Sequence, residues 1–122
     1  MKLQEHDCVV ITGCDSGIGH ALASHLARSG VQVVATCLNP SSGNSQTLIS
    51  LGVQIVRLDL TDNDLEEFGA EIGRLLGNRK LHALVNNAGV CIMGEYDWLT
   101  EQQVELVFKV NLGSMRIIRL LM

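Results

Sequence analysis

No uninterrupted apolar stretch in this 122-residue chain is long enough to span a bilayer, so no membrane-crossing helix is expected. No cluster of lysine and arginine is present either. At a formal charge of −4 the chain gives no electrostatic footing to nucleic acid or to anionic lipid. Cysteine pairs are also lacking. Cys8, Cys14, Cys37 and Cys91 are far apart and form no C-x-x-C, which predicts reduced, mostly buried thiols and a cytoplasmic setting. His6, His20, His25 and His82 show no metal-ligand spacing, so no metal site is expected. The opening residues 1–6 are polar and do not read as a secretory signal.

What is present is the composition of a globular protein, 47% hydrophobic and 18% charged, with enough chain for one small domain over residues 1–122. Strand and helix signals alternate throughout. Apolar runs at 8–12, 31–37, 53–58 and 81–85 predict strands. Helices are predicted over 18–29, near 46–51, from an N-cap at 61–64 to about Leu76, and from a capping box at Thr100 and Gln103 towards Met122. Residues 39–45, Asn-Pro-Ser-Ser-Gly-Asn-Ser, read as a polar loop. This β-α alternation predicts an α/β protein, a doubly wound parallel sheet with helices on both faces. Near-continuous apolar strands fit a sheet covered on both sides.

The most informative segment is Thr12-Gly13-Cys14-Asp15-Ser16-Gly17-Ile18-Gly19, placed between the first strand and the first helix. A glycine turn there brings backbone N–H groups and a helix N-terminus up to an anion, typically a dinucleotide pyrophosphate. Gly13 lets the chain leave the strand sharply, Gly17 admits a phosphate near the backbone, and Gly19 lets the helix sit close to the sheet. The spacing is G-x-x-x-G-x-G. That is neither G-x-G-x-x-G nor a P-loop, and it departs from the G-x-x-G-x-x-G of extended-type epimerases and dehydratases. The alternative is a tight turn that binds nothing. Asp59, at the end of the third strand, could meet an adenine edge. Asn86-Asn87-Ala88-Gly89 ends the fourth strand on the same sheet edge. Asn87 could bond a ribose or tie strands together, and Asn86 reads as structural.

Together, residues 12–19, Asp59, residues 86–89 and Asn111 resemble the short-chain dehydrogenase/reductase superfamily, and Thr-Gly-Cys-Asp-Ser-Gly with Ala35-Thr36-Cys37-Leu38 is similar to its retinol, 17β-hydroxysteroid and 3-hydroxybutyrate dehydrogenase branch. The resemblance implies a Rossmann-like fold. It also implies cofactor contacts at Gly13, Asp15, Ser16, Ile18, Leu38, Asp59, Leu60, Asn87, Ala88, Gly89 and Val110, with Gly17 and Gly19 completing the turn. Asn111 matches the asparagine of the family's catalytic tetrad, which lies at a kink in a long helix and helps hold a water. Its alternative is a polar side chain bonding its own helix backbone.

The resemblance implies a nicotinamide cofactor, and the charges favour NAD over NADP. No lysine or arginine lies between Arg28 and Arg57, where a cation would meet a 2′-phosphate. The acidic residue often found after the second strand is also missing, replaced by Cys37 and Leu38.

The family's tyrosine, with lysine four residues on, is not found. The only tyrosine, Tyr96, is followed at that spacing by Thr100, and it is expected to lie in a loop packed near Trp98. The chain reads as the cofactor-binding part of an alcohol/carbonyl oxidoreductase acting on a steroid, retinoid or hydroxy acid. It is expected to be truncated after the helix following the fourth strand, inactive alone and prone to associate, with a homo-oligomeric full-length parent. The competing expectation is a non-catalytic NAD-binding or interaction module.

Overall fold

The computed structural model describes residues 7–62 and 65–121. The chain order is β1 (Cys8–Ile11), α1 (Gly17–Arg28), β2 (Gln32–Cys37), α2 (Gly43–Ser50), β3 (Gln54–Arg57), α3 (Glu66–Leu76), β4 (Leu81–Val85), a single 3₁₀ turn (Tyr96–Trp98) and α4 (Glu101–Leu121). All strand pairs are parallel and the sheet order is β3-β2-β1-β4. The chain therefore winds outward from β1 to β3, then crosses back to place β4 on the other side of β1. That reversal opens a crevice at the C-terminal ends of β1 and β4, the usual ligand position in open α/β sheets.

Alternation along the strands divides the core in two. Cys8 and Val10 of β1, Val34 of β2 and Val56 of β3 bury against Phe68 and Ile72 of α3 and Ile117 of α4. Val9 and Ile11, with Val33, Ala35 and Cys37, bury against Ala23 of α1 and Leu48 of α2. Both sheet faces are thus covered, which is why β1 and β2 are apolar at nearly every position. β4 is half-buried along its whole length because, among the described residues, it is the edge of the sheet. Its register against β1 skips one residue, since Cys8 faces Leu81 while Val9 faces Ala83. The skipped residue, His82, turns its Nδ1 to Asp7 Oδ1 at 3.3 Å.

Two helix starts differ from the sequence reading. The segment 39–45 is not wholly loop, because α2 begins at Gly43. The Ser42 hydroxyl accepts from Ser45 N at 3.1 Å and caps it. Thr61 is not an N-cap: its hydroxyl donates to Asp59 Oδ1 at 2.7 Å. Asn63, Asp64 and Met122 lie outside the described residues. The capping box of α4 is present, with Gln103 N donating to Thr100 Oγ1 (3.2 Å) and Thr100 N to Gln103 Oε1 (2.9 Å).

Ile117 is the fully buried residue by which α4 reaches the sheet. Ile117→Ala is expected to cost about 2–5 kcal/mol through lost burial and the cavity left behind. A urea titration should show a lower midpoint at unchanged slope.

Candidate functional site

The glycine turn is fastened on both sides. Towards β4, Thr12 N donates to Val85 O at 3.0 Å. The Thr12 hydroxyl oxygen accepts from Asn87 N and Ala88 N, both at 3.0 Å. Asn87 Nδ2 returns two bonds of 2.9 Å, to Thr12 O and Gly13 O. Towards β2, Cys14 N donates to Thr36 O at 2.8 Å and Gly13 N to Thr36 Oγ1 at 3.3 Å. This closeness demands glycine. A Cβ on Gly13, whose φ is +70°, would stand 2.6 Å from Ala88 Cα. A Cβ on Gly19 would stand 2.4 Å from both Gly13 O and Asn87 Nδ2. Gly19 therefore lets α1 close onto the turn itself and onto Asn87, rather than onto the sheet as the sequence suggested.

Asp15 has left the turn to bond the far wall. Its Oδ2 accepts from Leu38 N at 2.9 Å and its Oδ1 from Asn39 N at 3.0 Å, while Asn44 Nδ2 donates to its backbone oxygen at 2.8 Å. Asp59 folds back on its own strand end, where Oδ1 accepts from the Thr61 hydroxyl (2.7 Å) and Thr61 N (2.9 Å). These two bonds, the hydroxyl's first, hold the Asp59 carboxyl below its ordinary value. Partial burial opposes them and Arg57, 3.7 Å away, assists. The Cys14 thiol is pushed up to about 12, chiefly by burial, and burial also raises Cys8 and Cys37. All four cysteines are free, and the three buried ones are poor nucleophiles.

A cleft of about 510 Å³ opens where these strand ends meet. Gly13, Asp15 and Ser16 form its floor, and Leu38 its β2 side. Asp59 and Leu60 stand at the β3 side, Asn87, Ala88 and Gly89 at the β4 side, and Val110 reaches in from α4. Gly17, Ile18 and Gly19 lie in the first turn of α1, next to the cleft but outside its lining, and Ile18 is 80% exposed. Thr36, Leu58, Thr61, Val90 and Leu106 line the cleft too and were not read from the sequence. Thr36 carried a usable signal, a polar residue next to the C-terminal end of an apolar strand.

The structure corrects three side-chain assignments. Asn111 does not bond its own helix through its side chain. Its Oδ1 accepts from Val90 N (2.8 Å) and its Nδ2 donates to Val90 O (2.9 Å), clamping α4 to the loop after β4. Asn111 itself is outside the cleft lining. Asn86, read as structural, is exposed, whereas Asn87 makes the strand-tying bonds that were one of its two readings. Tyr96 and Trp98 share the 3₁₀ turn but are 83% and 76% exposed, so they do not form the packed pair expected.

Chemically, the cleft suits an anionic, partly apolar ligand that needs no cation. Ser16 precedes α1 without a side-chain cap, and the first turn carries no acid, so its N–H groups and dipole face an anion unopposed. No lysine or arginine lines the cleft. Among the described residues no group of His, Cys, Asp or Glu could hold a metal ion, and no helix is long and apolar enough to cross a membrane.

Thr12→Val removes the acceptor for two N–H groups and is expected to cost about 1–3 kcal/mol for each one left buried. Thr12→Ser, which keeps the oxygen, should restore most of it in thermal melts. Thr61→Ala should raise the Asp59 carboxyl, read by NMR titration. Because the folded value is depressed, the stability Asp59 contributes is present above about 3.9, the unfolded value. It is lost as pH falls through the folded value. Thr61→Ala should therefore shrink the loss of stability seen on acidification.

Residues 7–121 match the family described as short chain dehydrogenase. Mouse retinol dehydrogenase 5 is 40% identical over 106 residues, which is 84% of this chain and 33% of that protein. Human short-chain dehydrogenase/reductase family 9C member 7 is 40% identical over 107 residues, 85% and 34% of the two chains. The chain thus spans about a third of the length of these relatives. The NADPH-bound carbonyl reductase from chicken fatty liver superposes with a TM-score of 0.82 at 29% identity, over 93% of this chain and 49% of that one. With residues 7–121 matched by the family and the fold shared with such a reductase, the chain belongs to the short chain dehydrogenase family.

Proposed function

We propose that the chain forms the cofactor-binding part of an NAD-dependent oxidoreductase that interconverts a secondary or allylic alcohol and the matching carbonyl. The observation that carries this reading is the cleft at the β1/β4 reversal, with the uncapped N-terminus of α1 at its floor. In this reading Gly13, Ser16, Gly17, Ile18 and Gly19 receive the pyrophosphate through backbone N–H groups. Leu38, Asp59 and Leu60 receive the adenosine, and Asn87, Ala88, Gly89 and Val110 border the nicotinamide side. NAD, when bound, supplies the hydride acceptor. The chain's own residues bind and orient it and keep water from its apolar wall.

Asn111 is the one residue of the family's catalytic set assigned here, and its clamp on Val90 supports a positioning role. Tyr96, exposed and absent from the cleft lining, takes no part in proton transfer. Because that lining holds neither tyrosine nor lysine, the chain alone is expected to bind without turnover, and a non-catalytic NAD-binding module is the second reading. A retinoid, steroid or hydroxy acid is the substrate class for the full-length protein, with homo-oligomerisation expected there. A cytoplasmic setting goes with the four free cysteines.

NAD is favoured over NADP because no cation lines the cleft. NADPH in the chicken carbonyl reductase supports the nicotinamide class rather than this choice within it. Titration with NADH and NADPH, followed by nicotinamide fluorescence, is expected to show saturable binding with NADH the tighter ligand. Tighter NADPH overturns the NAD assignment, and binding of neither overturns the nucleotide site in this chain.

A further inference from the structure

We propose that the Asp15 carboxylate, carried from the glycine turn to the end of β2, is the group by which this cleft selects a dinucleotide without a 2′-phosphate. The inference rests on the nucleotide reading above and names the residue that sets its specificity.

The strand end itself has no acid, since β2 finishes at Cys37 and Leu38 follows. Asp15 supplies one from 23 residues upstream. Its two oxygens take the N–H groups of Leu38 and Asn39 at 2.9 and 3.0 Å, and Asn44 Nδ2 holds its backbone oxygen at 2.8 Å. Asp15 and Leu38 line the same cleft, so the carboxylate, fixed on Leu38 N, stands beside the ligand space.

Two consequences follow for a ribose lying at this strand end. An ionised carboxylate has about four lone-pair sites, and two remain after the Leu38 and Asn39 bonds. They can accept from sugar hydroxyls but give nothing to a phosphate, which is acceptor and anion both. In addition, the two backbone N–H groups a phosphate could have used are already consumed. Arg57 is the cation that the β2–β3 register brings beside Cys37, and it is shared between Asp59 at 3.7 Å and Asp62 at 3.8 Å. Hydroxyls therefore find acceptors, whereas a 2′-phosphate meets like charge at a place where two backbone donors are already taken. This is discrimination by repulsion as well as by attraction.

The test compares NADH and NADPH affinities in the parent chain, Asp15→Asn and Asn44→Ala. Asp15→Asn removes the charge while keeping shape and one acceptor. Its NADH preference should fall about tenfold, the scale of one close charge in a partly screened site. Asn44→Ala loosens the same turn with no change of charge and should weaken both nucleotides alike. The parent's preference should also narrow as salt rises from about 0.1 M to about 1 M, where the screening length drops from ~10 to ~3 Å. Should Asp15→Asn fail to fold, the salt series decides alone. An unchanged preference in a folded Asp15→Asn, or a salt-independent one in the parent, overturns the assignment while leaving the nucleotide site standing. Failure of the parent to bind either nucleotide overturns both.

Discussion

The site depends on one small cluster across the ends of β1 and β4, in which the Thr12 hydroxyl accepts from the Asn87 and Ala88 N–H groups and the Asn87 carboxamide donates to the Thr12 and Gly13 carbonyls. Thr12 is fully buried, and its oxygen takes both the Asn87 and the Ala88 N–H groups. Both strand ends are fixed by these bonds, and so is the distance between the glycine turn and the β4 loop. The partners are 75 residues apart, so closing this contact orders a long stretch of chain and carries a loop-closure cost. The same amide that joins β4 to β1 lies against Gly19, which makes the first turn of α1 a dependent of the latch. A strand pairing, a tight turn and a helix start are thus a single structural unit.

In the proposed reading this unit carries an anion site without a cation. The cleft carries two carboxylates, Asp15 and Asp59, and both are satisfied by neighbouring N–H or O–H donors before any ligand arrives. Satisfied acids at the rim leave the helix N-terminus as the positive element at the floor. The division is spatial. Positive potential sits below the turn, negative potential at the ends of β2 and β3, and apolar surface from Leu60, Ala88 and Val110 lies between them. Such a gradient suits a ligand with phosphate in its middle and uncharged rings at its ends.

The architecture was legible because each strand is a separate apolar run and each turn has its own punctuation. The fourth strand was read with both ends correct, and the Thr100–Gln103 box opened α4 where expected. The start of α2 was hidden because Ser42, Gly43, Asn44 and Ser45 are as good for a loop as for a capped helix, and only the Ser42–Ser45 bond decides. In the site, the lining residues that stand inside or beside a motif, such as Gly13, Ala88 and Gly89, were readable, whereas Leu58, Val90 and Leu106 were not. Residues that act through partners were not. The destination of Asp15 lies on another element, and whether Asn86 or Asn87 faces β1 depends on the phase of the extended chain as it leaves β4. Asn111 could be placed on its helix, but Val90, its partner, carries no signal in its side chain because the bonds use its backbone.

The Asn111–Val90 clamp completes the logic of the β4 wall. The short segment from Asn87 to Val90 is held at one end by Thr12 and at the other by Asn111, with Ala88 and Gly89 between. Neither fastening uses a charge, so the wall is insensitive to ionic strength and to pH across the neutral range. Small residues between two fixed points leave free volume in front of the backbone without allowing it to move. A Cβ on Gly89 would lie 3.3 Å from Asn111 Oδ1, so even a methyl there would press on the clamp. The asparagine on α4 and the glycine after β4 therefore constrain each other, and a pair of hydrogen bonds joins α4 to the β4 wall beside the packing of Val110 and Ile117.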